Sequence, residues 1–333
     1  MSTTAVGVDN PTLSDVMKSL SPGGVVQPIV EALTKLSPAL EDATWKEGNL
    51  PNGELITTRT GLPSVGWRAY NEGVTAGKSR RDQLTETCGM LEGQSNVDCK
   101  LVDFNGTGAA FRASEDKGFL EAMRQELETG IFYSSTAASP RKFNGLTPRL
   151  NLTTGPYGNQ IVNSAISSSG SDQTSCWLIV WHPDTCYLMY PKGSMAGFKH
   201  TDMGKRMVSD GANKEYAAFT SIFNWDVGLV VKDARYVARL ANIDTSAIVK
   251  TGKLLIEGLV DLTERIENLD LQGGRPVLYM NRTISTYLRQ QAIDVVKSTV
   301  MTFDNIGGKR IAMFNGIPIK RTDALLNTEA IVT

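Results

Sequence analysis

The repeat of hydrophobic positions changes several times along the chain. Gly53–Tyr70 and Gln83–Phe104 show no helical period and read as two extended arms around a basic, glycine-containing bend at Glu72–Asp82. Phe119, Leu120, Met123 and Leu127 then recur at helical spacing behind Ser114, a good N-cap followed by Glu115 and Asp116. That spacing predicts a helix over 114–129 stopped by Gly130, with Lys117/Glu121 and Arg124/Glu128 as i,i+4 pairs on its exposed side. Pro148–Ser175 is rich in Gly, Ser, Thr and Asn and reads as loop. Cys176–Trp181, Thr185–Tyr190 and Ala217–Val231 are strand candidates, the first two joined as a hairpin by His182-Pro183-Asp184. From Lys253, the 4-3-4-3 stripe Leu255, Leu259, Leu262, Ile266 and Leu269 predicts a helix ended by Gly273-Gly274. Pro276–Met280 is a short buried strand, and Ile284, Leu288, Ala292 and Val295 place a second helix over Thr283–Val296. The tail Lys309–Thr333 is strand-like, with turns at Gly307-Gly308 and Asn315-Gly316.

Residues 1–51 carry Pro11, Pro22, Pro28, Pro38 and Pro51, with Gly23-Gly24 between them, which cuts any helix into a turn or two. Val16, Leu20, Val25, Val26, Ile29, Val30, Leu33 and Leu36 nevertheless need cover, so the segment reads as an extended arm with one short helix. The two extended stretches make the stronger argument. As strands, each arm would run roughly 60 Å at about 3.3 Å per residue. A compact chain of this size has a diameter of only roughly 50 Å. Such a hairpin overhangs its own domain and needs a neighbour to lie on. A protein that holds copies of itself together fits that demand.

Composition narrows the classes. The chain has 333 residues, 41% hydrophobic and 21% charged, the balance of a soluble globular protein. Thirty-four Lys and Arg against 35 Asp and Glu leave a net charge of −1, so no global basic field marks a nucleic-acid binder. Residues 1–10 lack Lys and Arg and precede no apolar signal core, and the apolar runs are too short to span a bilayer; no membrane partner and a cytosolic origin are expected. Cys88, Cys99, Cys176 and Cys186 match no metal or redox spacing and read as packed thiols.

Candidate chemistry is sparse. Gly73–Ser79 resembles a phosphate loop but is one residue short and lacks the flanking strand and helix. His182 and His200, the only histidines, offer no zinc spacing. Glu115/Asp116 and Glu264/Glu267 fall on helices and read as solvated faces rather than acid–base dyads. Asn105, Asn151 and Asn281 head glycosylation-type triplets that mean little without a secretory signal. No catalytic residue, cofactor or metal is nominated, and a non-enzyme is expected. The contact residues expected to bury against a neighbouring subunit are Leu62, Trp67 and Tyr70, with Lys78, Arg80 and Arg81 reaching acidic groups there.

Several short stretches, taken in order, resemble the tailed-bacteriophage major capsid protein family. They are Thr58–Pro63 with Trp67-Arg68, Cys88–Glu92, Ala110–Asp116, Trp177–Trp181, Tyr190–Ser194, Trp225–Leu229, Arg235–Arg239, Ala241–Asp244, Phe314–Ile319 and Asp323–Glu329. The resemblance implies an α+β chain with the Hong Kong 97-type capsid fold. It maps an N-terminal arm to 1–51 and an extended loop to 52–106. A peripheral domain follows at 107–244, with a spine helix at 114–129 and an insertion at 150–215. An axial domain takes 245–312, and a return strand 313–333. It implies hexamers and pentamers tiling an icosahedral shell around double-stranded DNA contacted non-specifically. The other partners implied are a separate scaffolding protein, a portal vertex and a decoration or cement protein, with assembly in the bacterial host cytoplasm. Two rivals are a nanocompartment shell of the encapsulin kind, which would enclose protein rather than DNA, and a soluble α/β enzyme, which would form a small discrete oligomer.

Overall fold

Every residue of the strand Gln173–Trp181 (β6) is buried, the pattern of a strand covered on both faces. The computed structural model describes residues 10–19, 34–103, 108–164, 170–209, 214–248, 255–294, 301–306 and 309–333. The expectations resting on Leu20–Leu33, Asn105–Thr107, Lys253, Val295 and Gly307-Gly308 lie outside them. The chain divides into two compact units. One comprises Pro38–Gly89, Thr129–Ala196 and Val227–Thr333, the other Met1–Ser37, Met90–Glu128 and Gly197–Asp226.

In the larger unit, β6 is flanked by antiparallel partners on both sides. Val237–Asp244 (β10) sets Leu240 opposite Cys176, and Arg275–Met280 (β11) sets Leu278 opposite Leu178. Beyond β11 the sheet continues through Ile317–Arg321 (β14), Lys309–Phe314 (β13) and Met301–Ile306 (β12), while Ile161–Asn163 (β5) runs parallel to β10. The boundary expected at 244/245 therefore runs between strands of one sheet. Leu255–Glu264 (α5) and Arg282–Asp294 (α6) bring Leu259, Leu262, Ile284 and Leu288 onto Leu178, Leu240 and Phe314. The Leu255–Ile266 stripe is buried as its spacing requires, but the helix stops before Gly273-Gly274. Arg265 and Ile266 donate three residues back, and Glu267 N–H donates to the Arg235 carbonyl, which draws the chain off the helical path.

Cys186–Tyr190 (β7) is not the hairpin partner of β6. Only Trp181 pairs with Cys186, in the parallel sense. The Thr185 hydroxyl donates to Val180 O at 2.7 Å, while the amides of Lys232 and Asp233 both donate to Thr185 O. Those bonds carry β7 onto Glu215–Val231 (β9), where Cys186 faces Val231, and Trp45–Glu47 (β1) adds in parallel on the other side.

Arg239 is buried in β10, where an unpaired charge would be costly. Its Nη2 lies 2.9 Å from Glu329 Oε2, and it donates to Ser175 Oγ at 3.0 Å and Leu150 O at 2.7 Å. Asn242 exchanges bonds with both backbone groups of Val332. The tail beyond Arg321, expected as strand, is thus held by side-chain anchors rather than a ladder. Asn315 and Gly316 have φ of 48° and 79° and form the expected turn.

The helix expected over 114–129 spans Gly108–Tyr133 (α4), so Ser114 lies inside it and is no cap. Gly130 does not end it either. A Cβ on Gly145 would come 2.6 Å from Gly130 O, and one on Gly130 would come 3.3 Å from Phe143. The glycine admits the 143–145 segment, and the helix ends where Leu146 N–H, Thr147 N–H and Gly145 N–H reach Ile131, Phe132 and Ser134 carbonyls. Arg124 pairs with Glu121 at 3.5 Å, three residues back, and donates to Lys35 O.

In the smaller unit, Gly89–Asp98 (β4) leads into Cys99–Val102 (α3), and Lys199–Ser209 (β8) pairs with the first part of β9 from Lys199↔Asn224 to Ser209↔Glu215. β8 falls in the stretch read as insertion. Its polar, exposed residues and a bulge between Asp202 and Gly204 break the alternation that marks strands. Leu13–Ser19 (α1) buries Val16 against Val97 and Phe111.

Candidate intersubunit contact surface

Gly53–Gly61 (β2) and Arg80–Thr87 (β3) form a two-stranded sheet of their own. The arms expected over 53–70 and 83–104 are therefore nine and eight residues long, about 30 Å at the usual rise. Several residues end the ladder early. The register shifts between Arg59 and Gly61, and Pro63 carries no N–H for a ladder bond. At the other end Cys88 N–H turns back to Asn52 O.

Residues 62–79 form the tip, without regular structure. Ala69–Glu72 close a tight turn: Asn71 has φ of 64°, Glu72 N–H donates to Ala69 O, and the Glu72 carboxylate accepts from Ala69 N–H. Gly77 lies so close to Ser64 that a Cβ would meet its backbone at 3.0 Å, so the two limbs run together. Leu62, Trp67 and Tyr70 are 81%, 105% and 98% exposed, and Val65 and Val74 add to them. Lys78, Arg80 and Arg81 are also exposed, and Arg81 stands directly opposite Arg59 in the ladder. Like charges facing across a hairpin are unfavourable without a counter-charge. The structure gathers the six expected contact residues at one end of the hairpin; what they touch in an assembly is a proposal taken up below.

The root is the opposite. Ile56 packs on Cys88, Tyr187, Met189 and Val230. Gly48 and Gly53 allow backbones to touch: a Cβ on Gly48 would lie 2.5 Å from Gly53 O, and one on Gly53 would lie 2.0 Å from Glu86 O. The Asn49 side chain takes both backbone bonds of Leu55, at 2.8 and 2.9 Å, and so stands in for a missing third strand. Glu54 and Glu86 face each other in the ladder, both buried. Each has its own cation. Lys46 Nζ lies 3.1 Å from Glu54, and Arg149 grips both oxygens of Glu86, Nη2 at 2.8 Å. Burial first, and then Glu54, pushes the neighbouring Tyr187 phenol far above its ordinary value. Sequence reasoning missed Arg149, Glu86, Glu54, Lys46 and Asn49. The two glutamates in otherwise extended arms were the only signal, and register alone makes them opposites.

Elsewhere the chemistry stays bland. Gly73–Ser79 lies within the exposed tip, away from any strand–helix junction. Glu115 and Asp116 are half-buried rather than solvated, and burial is the first cause raising both above their usual range. Asp15 and Asp116 add repulsion at Glu115, beside a cleft of about 380 Å³ lined by Asn10, Asp15, Gln94, Asn96 and Phe119. All four cysteines are buried without a disulfide, and burial pushes the Cys186 thiol up to about 12. Among the described residues there is no group of three potential metal ligands, and no helix long and apolar enough to cross a membrane.

A family model described as major capsid protein GP7 matches residues 21–333. The chain is similar to the near-atomic structure of bacteriophage Epsilon15, at 32% identity over 99% of both chains and a TM-score of 0.78. It is also similar in fold to the capsid of bacteriophage JBD30, at 13% identity over 92% of this chain and 99% of that one, with a TM-score of 0.52. No curated protein matches.

Proposed function

From its membership of the major capsid protein GP7 family, to which this chain belongs, we infer a shell subunit that tiles as hexamers and pentamers around double-stranded DNA and is joined through its hairpin tip. The chain is a major capsid protein of a tailed phage with the Hong Kong 97-type α+β fold, hence a virion component that assembles into a multimeric shell. The finer assignments are ours. The arm is residues 1–51 and the extended loop 52–106, with α4 as spine helix. The peripheral domain takes 107–244, the axial domain 245–312 and the return strand 313–333. A separate scaffolding protein, a portal vertex, a decoration protein and non-specific contact with packaged DNA complete the set of partners, and assembly takes place in the host cytoplasm.

The observation that carries the reading is the tip: three large apolar side chains at 81–105% exposure on a built, projecting ribbon. Aromatic anchors of this kind dominate interfaces when buried. Repeated contacts of about 1,600 Å² each would hold a shell without any single strong bond. Leu62, Trp67 and Tyr70 bury on a neighbouring copy, and Lys78, Arg80 and Arg81 meet carboxylates there.

The test replaces residues 65–76 with a two-residue turn, which the proximity of Ser64 and Gly77 permits. The subunit should keep its circular dichroism spectrum and lose shells in electron micrographs. Wild-type yields of particles from this variant would overturn the assignment of the tip. Nuclease-resistant DNA in purified particles distinguishes a genome shell from a compartment for protein cargo.

A further inference from the structure

The hairpin root contains more fastening than a short ribbon needs merely to fold. β2 and β3 already have a complete ladder from Gly53↔Thr87 to Arg59↔Arg81. What the ladder does not determine is the direction in which the ribbon leaves the larger unit. Arg149 supplies that direction from one side. Its guanidinium bonds both Glu86 oxygens, and also Gly145 O at 3.1 Å, Asn144 O at 3.1 Å and Leu229 O at 3.4 Å. One side chain thus ties β3 to β9 and to the segment that follows α4. Lys46 on β1 acts from the other strand, bonding Glu54 and lying 3.4 Å from the Tyr187 hydroxyl on β7. Two cations on separate elements hold two carboxylates that face each other, so the ribbon is gripped on both strands at one level.

We propose that Arg149 and Lys46 are positioning residues that fix the angle of the hairpin, so that the tip reaches a neighbouring copy already aimed. This deepens the shell reading and rests on it. A planar guanidinium with five donors can bridge a carboxylate and several carbonyls at once, whereas an ammonium cannot reproduce that fork. Arg149→Lys therefore keeps the charge and loses the geometry. Lys46→Met, made together with Glu54→Gln so that no buried carboxylate is left without its cation, removes the second grip.

The experiment uses the full chain with spin labels on Thr60→Cys in β2 and Ala138→Cys after α4, the native thiols being buried. Double electron–electron resonance on the unassembled subunit reads the distance distribution between the labels. In parallel, light scattering gives the concentration at which shells form. Both variants should retain the near-ultraviolet spectrum of the parent, broaden the distribution, and raise the assembly concentration, Arg149→Lys by about tenfold or more. A folded variant that keeps the narrow distribution overturns the proposal, and so does one whose distribution broadens without any change in assembly. Should Arg149→Lys not fold, Lys46→Met with Glu54→Gln decides. Failure of the parent itself to form shells strikes the shell reading instead, and the distance distributions alone then judge the clamp.

Discussion

The two ends of one hairpin obey opposite rules. At the root, two buried carboxylates, their two cations and two close backbone approaches come together, and Ile56 is 4% exposed. Some thirty ångströms along the same strands, by about 3.3 Å per residue, Trp67 and Tyr70 touch almost nothing of their own chain. Local propensity does not distinguish them, since both ends are extended, with charged and apolar residues mixed. The difference lies in where the covering atoms come from. The root takes them from β1, β7, β9 and the 143–149 segment of its own chain, and the tip leaves its apolar surface uncovered. One hairpin therefore combines a root covered within the subunit with apolar surface that the subunit leaves exposed.

Breaking the root should have the largest effect on the isolated subunit. Arg149→Met leaves Glu86 buried and uncompensated and should cost about 3–5 kcal/mol, read as a lowered midpoint in denaturant. The double change Glu86→Gln with Arg149→Met should recover much of that loss, because neither partner is then a buried lone charge. The tip should behave the other way. Trp67→Ala should shift folding stability by under about 0.5 kcal/mol, as exposed substitutions do. It should weaken association by about 2–4 kcal/mol, the range of a central aromatic contact, in a sedimentation or scattering titration. If Trp67→Ala instead destabilises the monomer, the tip folds back on its own chain and the contrast collapses.

The smallest effect extends the contrast to a second lightly held element, α1. Glu115 holds its proton more strongly when folded than its ordinary value of 4.5, through burial and then the Asp15 charge. The sign follows from linkage: docking of α1 is most favourable with Glu115 protonated and weakens as pH rises through and above 4.5. Hydrogen exchange at the Val16 amide, which bonds to Thr12 O, should accelerate over that range beyond its intrinsic pH dependence. Glu115→Gln should flatten the excess. An unchanged excess in that variant removes Glu115 as its cause.

Much of the fold was legible. The stripe Leu255–Ile266, the run Cys176–Trp181, the Asn315-Gly316 turn, the packed thiols and the existence of a projecting hairpin all follow from periodicity, turn chemistry and burial tendency. β8 was not, because a strand exposed along most of its length and broken by a bulge carries no alternation to detect. The ends of α4 were not legible either. Gly130 looks like a stop in one dimension, and only the arrival of Gly145 and Phe143 makes it a packing position. Of the candidate surface, the six exposed tip residues could be nominated from residue type, whereas the root could not.

By itself the sequence determined which segments are helical or extended, that the interior is apolar and reduced, and that the hairpin carries surface with no evident cover. Those properties depend on neighbours within a few positions along the chain, which one dimension contains. Only the tertiary structure decided where the elements stop, that β6 and β7 part company, and that Arg149 meets Glu86 across 63 positions. An ion pair of that span has no local periodicity to announce it. It exists because the ladder opposes Glu54 to Glu86 and the end of α4 returns Arg149 to the same place.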